Sequence, residues 1–357
     1  MKLKNFVLPV GILILGAISL IMVNTLVPNQ LNKHLVLLII GAAVFVTTSL
    51  VPFSKWLHHA PKLYWLSCFS LMLPFVLDHE IRETARWIKF GDFFQLQPSQ
   101  LAFPLVALAL IKIIKKEDIS KFATQLKLGW MILIPTLLII AAPNLSTAVF
   151  FVMILGSTLF LGGLPLKSIF TALTIMLILL GVGWLTWFKP YQKARILSFV
   201  AQTQTAQAQN YNARQALIAV GSGGLWGKGF DQGTQSKLYF LPERHTDFIF
   251  ASFAEQFGFL GSLILLFIYA VITIFLIKKA LEVSDRSKKL FLFFAAFILG
   301  TQTFLAVGTN IGVVPITGQT LPFISTGGSS LLSYALIFGI AQSIVTSFEP
   351  HRAIDLV

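Results

Sequence analysis

In the stretch "LPERHTDFIF", Glu243, Arg244, His245 and Asp247 fall within five positions, and an apolar run follows at once. A carboxylate, a guanidinium and an imidazole so close together can take a proton from a hydroxyl and neutralise an anion. The plainest alternative is a helix start. Thr246 would cap it and Asp247 would lie in its first turn, where the macrodipole favours a carboxylate. Glu255, eight residues further on, would lie near the same helix face among apolar residues, which makes it a second candidate.

Three other stretches carry polar chemistry. "GSGGLWGKGFDQGTQSKLYFLPERHTDF", Gly221 to Phe248, has glycines for tight turns and close backbone approach, with Lys228 and Lys237 for charge. Glycine-rich loops are also simply flexible, and no Walker pattern is present, so as a phosphate signal the stretch is weak alone. "DHEIRETARWIKFGDFFQLQPSQ", Asp78 to Gln100, mixes acids and bases around Arg86 and Trp87, and Trp87 suits an interfacial anchor. "VPITGQTLPFISTGGSS", Val314 to Ser330, is uncharged and includes Ser329. Such backbone sits at membrane depth only when buried in protein or lining a cavity, so a re-entrant loop facing a central cavity is expected. There is no C-x-x-C and no H-E-x-x-H, and the six His are scattered. Neither a metal-ligand set nor a Ser-His-Asp triad is therefore expected.

The elements that must position these residues are apolar helices. The chain has 357 residues, 56% hydrophobic and 11% charged, with mean hydropathy +0.80. Soluble domains carry about 25% charged residues, so the fold class expected is an all-α polytopic membrane protein. A span needs about 20 mostly apolar residues. Ten are expected, near 6–26, 35–53, 62–77, 99–114, 129–142, 146–164, 168–188, 258–277, 290–310 and 331–347, forming one domain over 1–357. "PNLS" turns the chain between the fifth and sixth. The N-terminus resembles a signal peptide, but its apolar run is longer than an h-region and lacks a small-x-small site; an uncleaved first span is expected. Cys68 stands alone, which excludes an intrachain disulfide.

The formal charge of +13 is read by side of the membrane rather than as a nucleic-acid footprint. With the N-terminus inside, most Lys and Arg fall in inner segments, while the short outer loops hold only Lys33, Arg82, Arg86 and Lys89. Both termini are then cytoplasmic. One long outer loop, 189–247, carries Lys189, Lys193, Arg195, Arg214, Lys228, Lys237 and Arg244 against Asp231, Glu243 and Asp247. Long loops translocate regardless of charge; the sharper reading is an anionic ligand at the outer leaflet. "NARQALIAVGSGG" reads as an interfacial helix ending in glycines, and "AQTQTAQAQN" before it as a low-complexity, mobile or peripheral tract. No internal repeat of the transporter kind stands out.

In order along the chain, "ARWI", "QPSQ", "PNLSTA", "GKGFDQGTQS", "LPERHTDFIF" and "LPFISTGGSS" together resemble the SEDS family of membrane proteins, which includes RodA and FtsW. The likeness covers most of the chain and is closer to the RodA side. It implies a peptidoglycan glycosyltransferase that polymerises lipid II at the outer face of the bacterial cytoplasmic membrane, for cell-wall elongation and shape. Implied partners are a class B penicillin-binding protein, elongation-complex membrane proteins and membrane lipids, with no nucleic acid. The family's essential aspartate falls on Asp247 and its R-W-I tryptophan on Trp87. Asp247 would be the base, and Arg244, Lys237, Lys228 and Arg86 would face the diphosphate, Arg244 foremost by adjacency. His245, Thr246, Trp87 and Ser329 complete the expected substrate contacts. A divalent cation, Mg or Mn, bridging Asp247 and diphosphate is the one cofactor considered. Rival readings are a flippase for the lipid-linked precursor and a non-catalytic scaffold. The sequence departs from the family pattern at Gln100 and Phe103, where an acid and a lysine are usual, and at Asn144 and Thr326. The paired loss at Gln100 and Phe103 is the tolerable kind, because losing one partner alone would strand a charge.

Overall fold

The computed structural model describes residues 6–77, 86–91, 94–186, 193 and 207–347. Most of the low-complexity tract 201–210 and the charged run 78–85 lie outside the described residues. In hydrocarbon a backbone must satisfy its own N–H and C=O groups, so apolar runs become helices. The chain opens with α1 (Val7–Leu26), α2 (Leu31–Leu50) and α3 (Phe53–Val76). A hairpin follows, in which β1 (Ile88–Phe90) pairs antiparallel with β2 (Phe94–Leu96). Then come α4 (Pro98–Lys116), α5 (Phe122–Ala141), α6 (Leu145–Leu161) and α7 (Leu166–Thr186). The interfacial helix expected before the glycines is α8 (Gln207–Ser222), and a single turn, α9 (Thr234–Lys237), follows it. The chain closes with α10 (Ile249–Glu282), α11 (Arg286–Asn310) and α12 (Gly328–Thr346).

Eight of these helices are long and apolar enough to cross a membrane. The remaining two expected spans are also helical: α3, whose first half carries Lys55, His58, His59 and Lys62, and α6, with only 17 residues. The all-α polytopic fold therefore holds. Three helices start well ahead of the expected spans: α3 at Phe53 rather than near 62, α5 at Phe122 rather than near 129, and α10 at Ile249 rather than near 258. Each added segment holds polar or charged residues that a search for apolar runs passes over.

The middle of the bundle is α4, α11 and α12. Of the apolar window of α12, 83% is buried, against 28% for α2. Gly339 of α12 lies where any Cβ would run into the Phe45 carbonyl of α2, the close small-residue approach that membrane helices use in place of hydrophobic driving force. Where the family pattern has a lysine, Phe103 is buried, with its ring 5.2 Å from Phe150 and 5.0 Å from Phe151. Position 103 is thus part of a buried aromatic cluster between α4 and α6. Asn144 caps α6 by accepting from the Thr147 N–H (3.4 Å).

Helix α10 is broken at Gly258, where φ is 68° and ψ is −165°. A break frees backbone groups that must find other partners. The glycine-rich turn after α8 supplies them. Gly224 and Leu225 carbonyls accept from the N–H of Phe259 (2.9 Å) and Leu260 (3.1 Å), and Lys228 and Gly229 N–H donate to Glu255 O (3.0 Å) and Gln256 O (3.1 Å). Gly227, at φ +81°, and Gly258 face each other so closely that a Cβ on either would enter the other segment's backbone. The glycine-rich turn and the helix are one interlocked backbone unit.

Candidate active site

Asp247 is half-buried, immediately before α10, at the end of a tight turn. Glu243 takes the left-handed conformation at φ 49°, which lets its carbonyl accept from the N–H of Thr246 (3.1 Å) and Phe248 (3.2 Å). The expected Thr246 cap is not formed. Phe248 is the N-cap residue and makes no side-chain cap bond, while the Thr246 hydroxyl donates to Glu243 Oε2 (2.9 Å). Nor does Asp247 lie in the first turn; it precedes the helix. The missing cap is supplied from α11. Asn310 Oδ1 accepts from the Ala251 N–H (2.8 Å), and its Nδ2 donates to the Asp247 carbonyl (2.9 Å) and to Ala306 O (2.7 Å). Asn310 is fully buried. A cap from another helix leaves no local sequence pattern, and sequence reading missed it.

The 314–330 loop forms the facing wall. The Ser325 hydroxyl donates to Thr246 O (2.7 Å), and the N–H and hydroxyl of Thr326 donate to His245 O, each at 3.1 Å. Gly318 comes so close that a Cβ there would stand 3.6 Å from Asp247 Oδ2. Gln319, Leu321, Phe323, Ile324 and Ser325 are all buried, as a re-entrant loop enclosed by protein requires. Behind it, Tyr269 donates to Pro322 O (2.5 Å), Gln302 Nε2 to Thr320 O (3.0 Å) and Ser19 to Ile324 O (2.6 Å), and the Tyr334 hydroxyl bonds Gln302 Oε1. Ser329 ties the loop to the β1–β2 hairpin segment: its hydroxyl accepts from Gln97 N–H (2.7 Å) and donates to Gln95 O (3.0 Å). That proton is thereby used structurally. Half-buried Trp87 directly precedes β1 of the hairpin stitched in this way.

The expected diphosphate cations fall into distinct settings. Lys228 Nζ lies 2.8 Å from Oε1 of Glu255, whose side chain has no exposed surface. Glu255 also accepts from the N–H of Gln235 (2.8 Å) and Ser236 (3.0 Å) and from the hydroxyls of Ser236 (2.9 Å) and Thr234 (3.2 Å). It is therefore not isolated among apolar residues, as the sequence suggested. The carboxylate is the hub of the loop between α8 and α10, because that loop folds back over the helix. Lys237 pairs with Asp231 (2.7 Å), both largely exposed. Arg86 donates to the carbonyls of Ala142 (3.0 Å) and Pro143 at the α5–α6 turn. Arg244 is buried, donates to Leu26 O (2.9 Å) and stacks on Tyr239, 3.8 Å from the ring centroid. Adjacency to Asp247 in sequence thus does not make Arg244 a presented cation. Among the described residues no group of three or more His, Cys, Asp or Glu is placed to hold a metal ion.

Asp247 therefore sits at one end of the bundle, between the turn 241–248 and the 314–330 loop, which the hairpin segment braces. Fold and site together define a polytopic membrane protein whose one candidate carboxylate meets a buried loop at the bundle end. The family model for FtsW, RodA and SpoVE, described as "Cell cycle protein", matches residues 5–349. The chain belongs to that family. It is 33% identical over 311 residues to peptidoglycan glycosyltransferase MrdB of Escherichia coli (strain K12), covering 86% of this chain and 83% of that protein. To the probable peptidoglycan glycosyltransferase FtsW of Aromatoleum aromaticum it is 32% identical over 322 residues, covering 87% and 77%. A chain from a structure described as coordination of polymerization and crosslinking by a peptidoglycan synthase complex superposes with TM-score 0.81 at 26% identity, covering 95% and 97%. A mutant of the Thermus thermophilus rod shape determining protein RodA gives TM-score 0.73 at 25% identity, covering 96% and 97%.

Proposed function

We propose that this protein is a peptidoglycan glycosyltransferase that polymerises lipid II for cell-wall elongation, with Asp247 as its base. The observation that carries the reading is the placement of Asp247. In a chain whose relatives are named peptidoglycan glycosyltransferases, the half-buried carboxylate is fixed by its backbone at the membrane end of α10, against an enclosed loop. In the reaction, a sugar hydroxyl of one substrate attacks the anomeric carbon of the next. Its proton passes to the Asp247 carboxylate, the new glycosidic C–O bond forms, and the bond to the lipid diphosphate breaks with its electron pair.

The leaving diphosphate needs positive charge. Magnitudes choose among the cations. Separating Lys228 from buried Glu255 costs about 3–5 kcal/mol, whereas an exposed pair such as Lys237–Asp231 is worth about 0–1 kcal/mol. Lys237 can exchange its partner for phosphate oxygens; Lys228 stays with Glu255. The described residues offer no cage for a divalent cation; if one is used, Asp247 would help hold it and it would supply positive charge to the leaving diphosphate. Chelator treatment measures whether chain growth requires one. The protein works in the bacterial cytoplasmic membrane with both termini inside and Asp247 outside. Its partner is a class B penicillin-binding protein, alongside other elongation-complex membrane proteins.

Purified protein with its partner, given lipid II in detergent, is expected to make glycan chains, and Asp247→Ala to make none while keeping its thermal transition. Chain growth by the Asp247→Ala protein removes Asp247 from the catalytic role. No chains from native protein, with lipid II crossing sealed vesicles, would establish the flippase instead. Buried polar groups in the bundle do not favour that alternative. Gln302 with Tyr334 and Ser333 with Gln100 O (2.6 Å) are spent on bonds between helices.

A further inference from the structure

The glycine-rich turn carries two side chains that no core accounts for. Leu225 is 63% and Trp226 is 79% exposed, at the tip of a turn between α8 and the interlocked strand of loop that follows. Exposed apolar pairs at the tip of a rigid turn mark a surface that something apolar covers. What covers this one follows from its neighbours. The Leu225 carbonyl is bonded to the Leu260 N–H, so the turn lies level with the first residues of α10 after the break. From there Phe259, Leu263, Ile264 and Phe267 form one exposed apolar face, at helical spacing, on a segment that crosses the membrane. Leu225 and Trp226 continue that exposed apolar surface beyond the helix break. Helix α8, leading into the turn, also exposes Leu217 and Ile218. Tryptophan is favoured at the headgroup level, where its ring is half in hydrocarbon.

We propose that the Leu225–Trp226 turn is a lipid anchor, inserted at the headgroup–acyl boundary of the leaflet at the Asp247 end. Membrane lipid, rather than a protein partner, is its occupant. The anchor is rigid, because four backbone bonds and the Lys228–Glu255 pair fasten it to α10. Asp247 directly precedes the same helix, so the anchor sets the depth of the carboxylate relative to the leaflet. The inference does not depend on which reaction Asp247 performs.

The test uses the full chain in vesicles of phosphatidylethanolamine and phosphatidylglycerol. Cys68→Ala removes the native thiol, and Trp226→Cys and Leu225→Cys each take a nitroxide. Phe259→Cys is the lipid reference and Gln232→Cys the water reference. Collision with oxygen against a water-soluble nickel chelate reads depth. The labels at 225 and 226 are expected to side with Phe259, shifted toward oxygen and shielded from nickel. Nickel access matching Gln232 overturns the anchor. Shielding from both reagents also overturns it, and assigns the patch to a protein contact. Should either cysteine variant fold poorly, quenching by brominated lipid decides. Native protein should lose a quenchable share of emission on Trp226→Phe, and no loss overturns the proposal.

Discussion

At the scale of single residues, the site is organised by groups that hold Asp247 rather than by groups that touch its carboxylate. Asn310 is the clearest. Its side chain satisfies one α10 amide and one Asp247 carbonyl at once. Asn310→Ala leaves both unpaired in a buried place and is expected to cost about 1–3 kcal/mol. Turnover should fall with little change in KM. Asn310→Asp should do worse than Ala, because an acceptor then faces the carbonyls of Asp247 and Ala306; thermal unfolding beside initial rates checks both. The two lysine pairs offer a second contrast. Glu255→Ala strands Lys228 and opens the amides of Gln235 and Ser236, so a loss of about 3–5 kcal/mol is expected. Asp231→Ala should change the unfolding midpoint barely at all. Asp247 stood out as a candidate from "HTD" because an acid beside an apolar run is rare, and the family likeness singled it out. Asn310 was not, since its partners lie 59 and 63 positions away in sequence. Glu255 was noticed for its lone charge, but its donors come from a loop whose path periodicity cannot trace.

At the scale of elements, the break in α10 matters most. Hydropathy places the spanning apolar run from Gly258, and the capping pattern puts a helix start near Thr246, but nothing in either marks a break between them. The structure has helix on both sides of the glycine, because the freed N–H groups are met by Gly224 and Leu225. Long-range backbone pairing leaves almost no trace in a sequence except the glycines that permit it. Gly227→Ala meets both a left-handed φ and a blocked approach to Gln256 O and is expected to unlatch the turn. Limited proteolysis should then cut within 223–237, where the native loop resists. The 314–330 loop was easier to foresee. Its lack of charge and its Gly, Pro, Ser and Thr content left only enclosure by protein, which is what surrounds it.

For the whole molecule, eight of the ten expected spans are described helices long and apolar enough to cross a membrane, and apolar runs alone were enough to find them. Their arrangement was not legible in the same way: α4, α11 and α12 form the interior, although their composition alone did not rank them above α1 or α2. The distribution of Lys and Arg predicts the orientation. In a Cys68→Ala background, Gln232→Cys should react with an impermeant maleimide added to intact cells, and Ser120→Cys, between α4 and α5, only after permeabilisation. The reverse pattern would invert the protein. One consequence of the Gly258 break reaches across these scales. The amides of Phe259 and Leu260 belong to a membrane helix, yet their acceptors belong to a turn outside it. Lifting that turn would leave two donors bare in hydrocarbon, so the loop cannot work as a freely hinged flap; it and the head of the helix must open together or stay shut together.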